Sequence, residues 1–316
     1  MKLENIKKVG VVGVGTMGFG IAINFALWGY PTIMSDISDK VLQQSMRMIR
    51  SAMALFMEEG LITRQQADDT VRRIATTTDL AEVAANSDFI TEAIVEKSED
   101  KRELFNKLDK LCLPHTILAS NTSGLVLSDF GADVKRQDKI VITHYFAPPH
   151  IVPGVEVAKG PGTSDETFNI TYDLMKKIRK IPIRVLKELP GYLLNRIQSA
   201  MSREANRLWA EGVATAEDIE LGVKSTFGFR MPHEGPMMHY DVAGIWKWPQ
   251  DVRTAMSTRQ VSRESELSGE VAEKIRQRMA QGRPWFVDPE RFDEAIEKRD
   301  REYARRLKEL YWSKEK

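Results

Sequence analysis

The spacing of apolar residues changes from one segment to the next along the first part of the chain. Short runs rich in β-branched residues predict buried strands, and apolar positions that recur every three or four residues predict the helices between them. The predicted strands are 9–15, 31–36, 73–79, 88–94, 115–121, 139–146, 152–160 and 181–186. The main predicted helices are 17–27, 39–59, 99–111 and 165–179. This alternation predicts a doubly wound, mostly parallel α/β sheet with helices on both faces.

Helical spacing takes over after the last predicted strand. We expect apolar helices over 192–211 and 214–248, and a charged helix over 290–311. The expected domains are an α/β domain over 1–188 and an all-helical domain over 189–316. A small domain does not bury that much apolar helix alone, so we expect a homodimer that forms through the helical domain.

The composition excludes several classes of protein. The 316 residues carry 46 basic and 45 acidic side chains, a net charge of +1, so no overall field attracts nucleic acid or an anionic membrane. The single cysteine, Cys112, permits no intrachain disulfide. We expect neither a membrane span of ~18 apolar residues nor a cleaved signal sequence. The expectation is a cytoplasmic protein without a metal, because no His or Cys spacing is typical of zinc.

A glycine-rich sequence follows the first predicted strand and opens the first predicted helix. It is Gly13-Val14-Gly15-Thr16-Met17-Gly18, which has the G-x-G-x-x-G pattern. In this position the first glycine permits a tight turn, the second lets the backbone approach a pyrophosphate, and the third lets helix and strand pack closely. The pyrophosphate would meet the free N–H groups of the helix N-terminus. The pattern therefore predicts a Rossmann-type dinucleotide site.

Asp36 indicates which dinucleotide binds. It ends the second predicted strand 18 residues after Gly18, close to the ~20 expected for the acidic residue that binds the ribose hydroxyls. Ile37, Ser38 and Asp39 follow, so no arginine is placed to receive a 2′-phosphate. We expect NAD rather than NADP, with FAD as a rival that no other feature of the chain supports.

His144 is the candidate proton-transfer group. It follows the strand-forming sequence KIVIT, at the end of a strand where ligands bind in open α/β sheets. Glu156 comes 12 residues later, and a proline-rich loop between them allows the chain to turn back. Such a pair suits a base that accepts a hydroxyl proton while hydride leaves carbon. A packed histidine at a strand end is the alternative, and the residues alone leave both open.

Four further motifs resemble those of one known family. They are Glu92-Ala93-Ile94-Val95-Glu96, Ala119-Ser120-Asn121-Thr122-Ser123, Pro190-Gly191-Tyr192-Leu193-Leu194-Asn195-Arg196, and Gly235-Pro236 followed by Asp241 and Gly244. Together with His144 and Glu156 they resemble the L-3-hydroxyacyl-CoA dehydrogenase family over residues 7–246. The resemblance implies an NAD-binding Rossmann domain, a helical second domain and hydride transfer at a hydroxyl-bearing carbon.

The resemblance also implies roles for four residues. His144 would be the general base for oxidation, or the acid for reduction, and Glu156 would orient it. Ser123 would hydrogen-bond the reacting oxygen and lie near the nicotinamide, while Asn195 would help to hold the substrate carbonyl. The structural alternatives are a turn residue at Ser123 and a helix-start residue at Asn195.

Two charged residues match positions that contact the nicotinamide half of the cofactor in this family. They are Glu96 and Lys101, five residues apart. The alternative for them is a solvated ion pair.

Several departures from the family concern the substrate. Ala147 stands where relatives have an asparagine, and Ala52 and Glu59 stand where they place a serine and a lysine against the CoA moiety. Glu59 would repel the CoA phosphates. His150 lies in an unusual loop, where it would bind a substrate carboxylate or simply line the loop.

Basic residues elsewhere in the chain could supply the substrate contacts that these departures remove. Arg47 and Arg50 would replace the missing CoA contacts, and Arg230 would pair with a free carboxylate through two hydrogen bonds. The alternative for Arg230 and its neighbour His233 is solvated loop charge.

Three hypotheses follow. The first is an NAD-dependent dehydrogenase of a 3-hydroxyacyl-CoA thioester, the family default, with a place in fatty acid metabolism. The second is a dehydrogenase of a free hydroxy acid, or of a hydroxymethyl or carboxylate substrate without CoA, which Ala52, Glu59, Ala147 and Arg230 favour. The third is a non-catalytic homologue, which the presence of His144 and its partners disfavours.

Overall fold

The first 200 residues form one eight-stranded sheet. The computed structural model describes residues 2–255, 273, 277–278 and 280–307. The strand order is β3-β2-β1-β4-β5-β6-β7-β8. The strands are β1 (Val9–Val12), β2 (Thr32–Ser35), β3 (Ile74–Thr77), β4 (Phe89–Glu92), β5 (Ile117–Ser120), β6 (Ile140–Tyr145), β7 (Gly154–Ala158) and β8 (Ile181–Val185). The predicted doubly wound, mostly parallel sheet is confirmed.

The sheet changes direction once. Strands β1 to β6 are parallel, β7 pairs antiparallel with β6, and β8 is parallel to β7. Only residues 146–153 connect β6 to β7. A parallel crossover needs a dozen or more residues, so this short connection returns the chain in the opposite direction.

Eight helices accompany the sheet up to residue 210. They are α1 (Gly18–Leu27), α2 (Asp39–Glu58), α3 (Arg64–Arg72), α4 (Leu80–Ala85), α5 (Ser98–Leu111), α6 (Leu127–Phe130), α7 (Asp165–Lys177) and α8 (Leu194–Ala210). Each face of the sheet has its own apolar core. Ile21 of α1, Ile49 of α2 and Leu174 of α7 belong to one core, whereas Phe105 of α5 and Phe130 of α6 belong to the other.

Helix α3 was not predicted from the sequence. Its nine residues are mostly polar, and only Ala67 and Thr70 are buried. The signal that indicates it is the capping box at its start, where Thr63 and Gln66 each accept a hydrogen bond from the other's backbone N–H. Apolar periodicity is weak in so polar a helix, so the pattern does not show it.

The chain divides into two compact units, residues 1–202 and 203–316. In the described part of the second unit all regular structure is helical, as predicted. Its α-helices with described ends are α9 (Ala216–Ser225), α10 (Phe227–Arg230), α11 (Pro236–Val242) and α12 (Phe292–Leu307), and residues 250–255 are also helical. The expected boundary at residue 188 stays a prediction, as does the part of helix 290–311 beyond residue 307, which lies outside the described residues.

Asp241 binds the backbone of residues 285–287 within the second unit. Its side chain is fully buried and accepts hydrogen bonds from the backbone N–H groups of Trp285, Phe286 and Val287. Three donors compensate the burial of its charge. Within the described residues, no helix is both long and apolar enough to cross a membrane.

Candidate active site

In the glycine loop after β1, a side chain would clash with neighbouring atoms at Gly13 and Gly18 but not at Gly15. Gly13 has φ +84°, and a Cβ there would lie 2.7 Å from the carbonyl of Ala93. A Cβ on Gly18 would overlap the carbonyl oxygen of Gly13. At Gly15 nothing lies within 4 Å, and the residue is exposed. The backbone at Gly15 therefore presents an open surface, which suits close approach of a pyrophosphate.

Asp36 is tied to the same loop. It directly follows β2, and its Oδ2 accepts a hydrogen bond from the Val14 N–H at 3.1 Å. The loop is further anchored to β2 because the Gly13 N–H donates to the Ser35 carbonyl at 2.8 Å. A carboxylate fixed beside the loop is suited to bind ribose hydroxyls and to repel a 2′-phosphate. These residues together suit a dinucleotide with free ribose hydroxyls, and their role in holding NAD stays a prediction.

His144 and Glu156 form a buried pair. They stand opposite each other in the antiparallel register of β6 and β7, and the Nδ1 of His144 lies 2.7 Å from the Oε2 of Glu156. His144 is 3% exposed and Glu156 is 0% exposed. No hydrogen bond to Nε2 of His144 occurs among the described residues. A carboxylate on Nδ1 fixes the tautomer and leaves Nε2 available for proton transfer.

The second carboxylate oxygen of Glu156 is held by the start of α8. Its Oε1 accepts hydrogen bonds from the Leu193 and Leu194 N–H groups at 2.9 and 2.8 Å. Free N–H groups and the helix dipole favour a negative charge at this position. Both oxygens of the carboxylate are therefore occupied, and its orientation toward His144 is fixed.

Tyr192 shapes the turn that leads into α8. It has a left-handed φ of +47°, is fully buried, and its ring centroid lies 5.7 Å from that of His144. Its hydroxyl donates to the carbonyl of Leu125 at 2.5 Å. The aromatic ring thus packs beside the imidazole and links α8 to the loop after β5.

Glu96 binds the loop that carries Ser123. Its Oε1 accepts hydrogen bonds from the Thr122 hydroxyl at 2.5 Å, the Ser123 N–H at 2.8 Å and the Gly124 N–H at 2.9 Å. Burial alone would raise the pKa of Glu96, but these hydrogen bonds and the Lys101 ammonium lower it to about 2. Glu96 is therefore ionised and keeps Ser123 in a defined position.

Lys101 is buried, in contrast to the solvated ion pair that the sequence left as an alternative. It is 1% exposed, and its Nζ lies 2.6 Å from Glu92 Oε1 and 3.2 Å from Glu96 Oε2. The ammonium of Lys101 is thus paired with two carboxylates. This arrangement favours an indirect role, in which Lys101 holds Glu96 in place. Direct contact of Lys101 with the cofactor stays a prediction.

Asn195 lies next to Ser123. Its Nδ2 donates to the Ser123 carbonyl at 3.2 Å, and both residues precede the end of the first unit. Since Leu194 binds Glu156 and Glu96 binds Ser123, one connected set of hydrogen bonds holds Ser123, Asn195 and Glu156. The structure thus brings these three candidate residues together with His144.

His150 does not belong to this set. Its ring centroid lies 5.4 Å from that of Phe19 and 5.9 Å from that of Phe56, between α1 and α2. Its Nδ1 is buried without a hydrogen-bond partner among the described residues. Burial and the neighbouring Lys180 lower the pKa of His150, so the neutral imidazole is favoured. An unprotonated ring packed between two phenylalanines is poorly suited to bind a substrate carboxylate.

Arg230 and His233 lie in the second unit. The Nε of Arg230 is 4.0 Å from Glu234 Oε1, and the arginine side chain is 35% exposed. The same carboxylate oxygen of Glu234 lies 2.8 Å from Nδ1 of His239. A role for Arg230 in binding a free carboxylate stays a prediction.

The residues that bear on CoA binding lie along α2. Ala52 is buried and Glu59 is exposed at the end of the helix. Arg47 and Arg50 are exposed, line a cavity of about 440 Å³ together with Thr76 of β3, and have no ion pair within the described part of the chain. The two arginines therefore remain available to an anion.

Cys112 and His115 have surroundings that do not favour a nucleophile or a metal ligand. Burial raises the pKa of the Cys112 thiol to about 11, and Nε2 of His115 lies 2.8 Å from Asp88 Oδ1. Across the described ranges, no group of three or more His, Cys, Asp or Glu side chains is placed to hold a metal ion.

Sequence reasoning assigned no role to two residues that contact the site, although both stand in the motifs quoted above. Glu92 is fully buried and binds Lys101, the Ser120 hydroxyl at 2.5 Å and the Ile94 N–H at 2.7 Å. Burial raises the pKa of Glu92 although these contacts act to lower it. The sequence feature that could have indicated Glu92 is a carboxylate at the last position of an apolar strand. The other residue is Tyr192, described above.

Comparisons with known proteins match most of the chain to one family. Residues 8–189 match the family model "3-hydroxyacyl-CoA dehydrogenase, NAD binding domain", and residues 191–287 match "3-hydroxyacyl-CoA dehydrogenase, C-terminal domain". The chain is 36% identical over 245 residues to human mitochondrial hydroxyacyl-coenzyme A dehydrogenase, covering 76% of this chain and 77% of that one. It is 32% identical over 305 residues to rabbit (Oryctolagus cuniculus) lambda-crystallin, covering 95% of both chains.

One solved structure is similar over nearly the whole chain. It is 5-formyl-3-hydroxy-2-methylpyridine 4-carboxylic acid 5-dehydrogenase, described as an NAD⁺-dependent dismutase. The TM-score is 0.74 at 26% identity, and the match covers 96% of this chain and 99% of that one.

The fold and the glycine loop define an NAD-dependent oxidoreductase. The two family models together cover most of the chain, and the chain belongs to the 3-hydroxyacyl-CoA dehydrogenase family. It is accordingly an enzyme that acts on a CH–OH group with NAD as its cofactor.

Proposed function

We propose that the chain interconverts a 3-hydroxyacyl group and its 3-keto form, with His144 as the proton-transfer group. The observation that carries the proposal is the 2.7 Å contact between His144 Nδ1 and Glu156 Oε2 in a buried site. In oxidation, Nε2 of His144 accepts the hydroxyl proton. Bound NAD would supply the acceptor for the hydride of the carbon that carries this hydroxyl. In reduction the imidazolium returns that proton.

Glu156 acts through His144. Its carboxylate holds the imidazole in the tautomer that is protonated on Nδ1, and it stabilises the imidazolium that forms when Nε2 takes a proton. The N–H groups of Leu193 and Leu194 hold the other carboxylate oxygen in place. Proton transfer therefore requires little movement of either side chain.

Ser123 and Asn195 bind the substrate. The Ser123 hydroxyl lies at the open end of the β5 loop, and the residue is exposed. We assign it a hydrogen bond to the reacting oxygen and assign Asn195 a contact to the substrate carbonyl. Donors at these positions stabilise the charge that develops on oxygen during transfer. Glu96 fixes Ser123, and we assign it a contact to the nicotinamide half of the cofactor.

The head group of the substrate has two candidates. The family name favours a CoA thioester, and the unpaired Arg47 and Arg50 on α2 offer positive charge to its phosphates. The exposed Glu58 and Glu59 at the end of α2 oppose those phosphates and favour a free carboxylate. The similarity to a dehydrogenase of a pyridine carboxylic acid supports that second candidate.

One assay tests the proposal and separates the candidates. Purified enzyme is given NADH with acetoacetyl-CoA, or with a panel of free 3-oxo acids, at equal concentrations. NADH oxidation with the thioester assigns the CoA ester, and oxidation with the free acids alone assigns the carboxylate. No oxidation with either class would refute the proposed reaction.

We also propose a homodimer. No residue of α8 is buried in one chain, and its helical apolar face is exposed. The exposed apolar side chains on and next to this helix are Leu193, Ile197, Met201, Trp209 and Val213. Burying such a face against a second copy removes it from water.

A further inference from the structure

A second cavity lies outside the proposed active site. It has a volume of about 280 Å³, below the ~300–1,000 Å³ typical of drug-sized ligands. We call it the Trp28 cavity. Its walls come from α1, the end of α2, the start of α3 and the segments 150–153 and 178–180, and they are mainly apolar: Leu27, Trp28, Phe56, Leu61, Ile62 and Ile178.

Two adjacent cations line this apolar cavity. Lys180 is 7% exposed, and its ammonium donates to the carbonyls of Pro149 at 2.5 Å and Val152 at 2.9 Å. Burial lowers the pKa of Lys180 to about 8, so it is still protonated at neutral pH. No carboxylate lies within ion-pair distance of Lys180 or Arg179 in the part of the chain that the structure describes. A buried cation without a counter-ion is unusual, because burying an unpaired charge is costly.

Arg179 occupies a position that favours glycine. It follows the C-terminal end of α7 with a φ of +61°, a left-handed conformation that glycine adopts without strain. The arginine guanidinium instead lies 5.3 Å from the ring centroid of Trp28. The strained conformation thus places a positive charge at the edge of the cavity, where glycine would leave none.

The polar side chains of the cavity wall are either positively charged or uncharged. Asn24 donates to the Pro149 carbonyl at 3.0 Å, and Gln66 and His150 are the other polar side chains that line the wall. No acidic side chain is among the lining residues that the structure describes. The charge of the wall is therefore complementary to an anion.

We propose that the Trp28 cavity binds a small carboxylic acid with an unbranched apolar tail, a short-chain or medium-chain fatty acid. The carboxylate would pair with Lys180, which has a third N–H beyond its two carbonyl bonds, and with Arg179. The tail would lie against Trp28, Leu61 and Ile178. Lys180 holds residues 149–152, part of the segment between His144 and Glu156, so an occupant of this cavity touches the loop that spans the catalytic pair.

The test is isothermal titration calorimetry of the full chain with sodium octanoate in the presence of saturating NADH. We expect one saturable site per chain. Acetate, which lacks the tail, and octylamine, which lacks the negative charge, are expected to bind at least about tenfold more weakly.

Two variants assign the binding to this cavity. Arg179→Gly suits the left-handed backbone and is expected to keep the fold while weakening octanoate binding about threefold to fivefold. Lys180→Met is expected to weaken it at least about tenfold. The matched control is Lys177→Gln, which removes a positive charge from the same helix end but from a side chain that lies over Tyr30; its binding should equal that of the wild type.

Octanoate binding that is unchanged in Arg179→Gly and in a folded Lys180→Met would overturn the proposal and place the acid elsewhere, as would an absence of binding to the wild type. These results are distinct from a failure of the dehydrogenase proposal, because the titration does not depend on turnover.

Discussion

His144 and Glu156 face each other across the β6–β7 ladder, and their side chains meet at 2.7 Å. The antiparallel return of β7 places the two residues in register although 12 positions separate them in the chain. The N-terminal N–H groups of α8 hold the far oxygen of the carboxylate. The strand register positions the backbone of Glu156, and the start of α8 holds its Oε1. The other oxygen, Oε2, therefore orients the imidazole of His144.

Glu156→Gln tests the orienting role of this carboxylate. The amide keeps the shape and an acceptor for Leu193 and Leu194, but it loses the charge that stabilises the imidazolium. We expect kcat to fall at least about 10²-fold, with KM changed far less. Steady-state NADH kinetics measure both. Glu188→Gln is the matched control, since the hydrogen bonds of Glu188 to the described residues go to the Ser128 backbone and hydroxyl. If Glu156→Gln behaves like this control, the pair is misassigned.

The glycine loop gives opposite expectations for two substitutions. Gly18→Ala introduces a methyl group onto the Gly13 carbonyl, so we expect the free energy of unfolding to fall by about 1–3 kcal/mol. Gly15→Ala meets no atom within 4 Å. We expect it to leave thermal stability unchanged and to weaken NAD binding about tenfold or more by blocking the pyrophosphate. Thermal denaturation and NADH titration measure the two effects, and equal losses of stability would contradict this division.

Asp36→Asn tests cofactor selection. The amide still accepts from the Val14 N–H but no longer repels a 2′-phosphate. We expect the ratio of kcat/KM for NADP to that for NAD to rise at least about tenfold, or ~1.4 kcal/mol. Asp39→Asn, one turn further on at the exposed start of α2, should leave the ratio unchanged. An unchanged ratio in Asp36→Asn would show that another residue excludes NADP.

Glu96 contributes to stability in a defined pH range. Its pKa in the folded chain, about 2, lies below its ordinary value of 4.5. The contribution is therefore fully present above pH 4.5 and is lost as the pH falls from 4.5 toward 2. We expect Glu96→Gln to lower the free energy of unfolding at pH 7 by only about 1 kcal/mol, because solvent screens a side chain that is 39% exposed.

Urea denaturation between pH 7 and pH 3 measures this effect. The wild type should lose stability in acid more steeply than Glu96→Gln. Glu99→Gln removes an exposed carboxylate from α5 and should follow the wild-type curve. Parallel curves for the wild type and Glu96→Gln would contradict the role of Glu96.

The exposed face of α8 predicts a dimer. Sedimentation at micromolar concentration should give twice the chain mass of 35.9 kDa. Ile197→Asp places a charge on the apolar face and should shift the equilibrium to monomer, whereas Ser199→Asp, on the opposite side of the helix, should not. A wild-type monomer would refute the dimer.

The sequence predicted every strand of the sheet but not the direction of each strand. The predicted strand 152–160 is shorter in the structure, Gly154–Ala158, and runs antiparallel to β6. Apolar spacing shows that a segment is extended and buried, but it carries no direction. Direction depends on the connection, and the eight residues from 146 to 153 are too few for a crossover.

The sequence predicted the parts of the candidate site that belong to a local motif. It did not predict the parts that depend on contacts between distant segments of the chain. The glycine loop and Asp36 lie within one βαβ unit, so local spacing locates them. Glu92 joins β4, β5 and α5 through Lys101 and Ser120. Nothing local indicates that these three side chains meet. The same holds for Glu156, whose second oxygen is bound by an α8 backbone 37 residues away.

His144→Gln is the most direct test of the proposed chemistry. Wild type and variant are compared in NADH binding by fluorescence titration, and in turnover with whichever 3-oxo substrate the wild type accepts. The account predicts that NADH affinity stays within about twofold while kcat falls about 10²–10⁴-fold, because only proton transfer is removed. A His144→Gln variant that turns over within about fivefold of the wild type would contradict the assignment of His144 as the proton-transfer group.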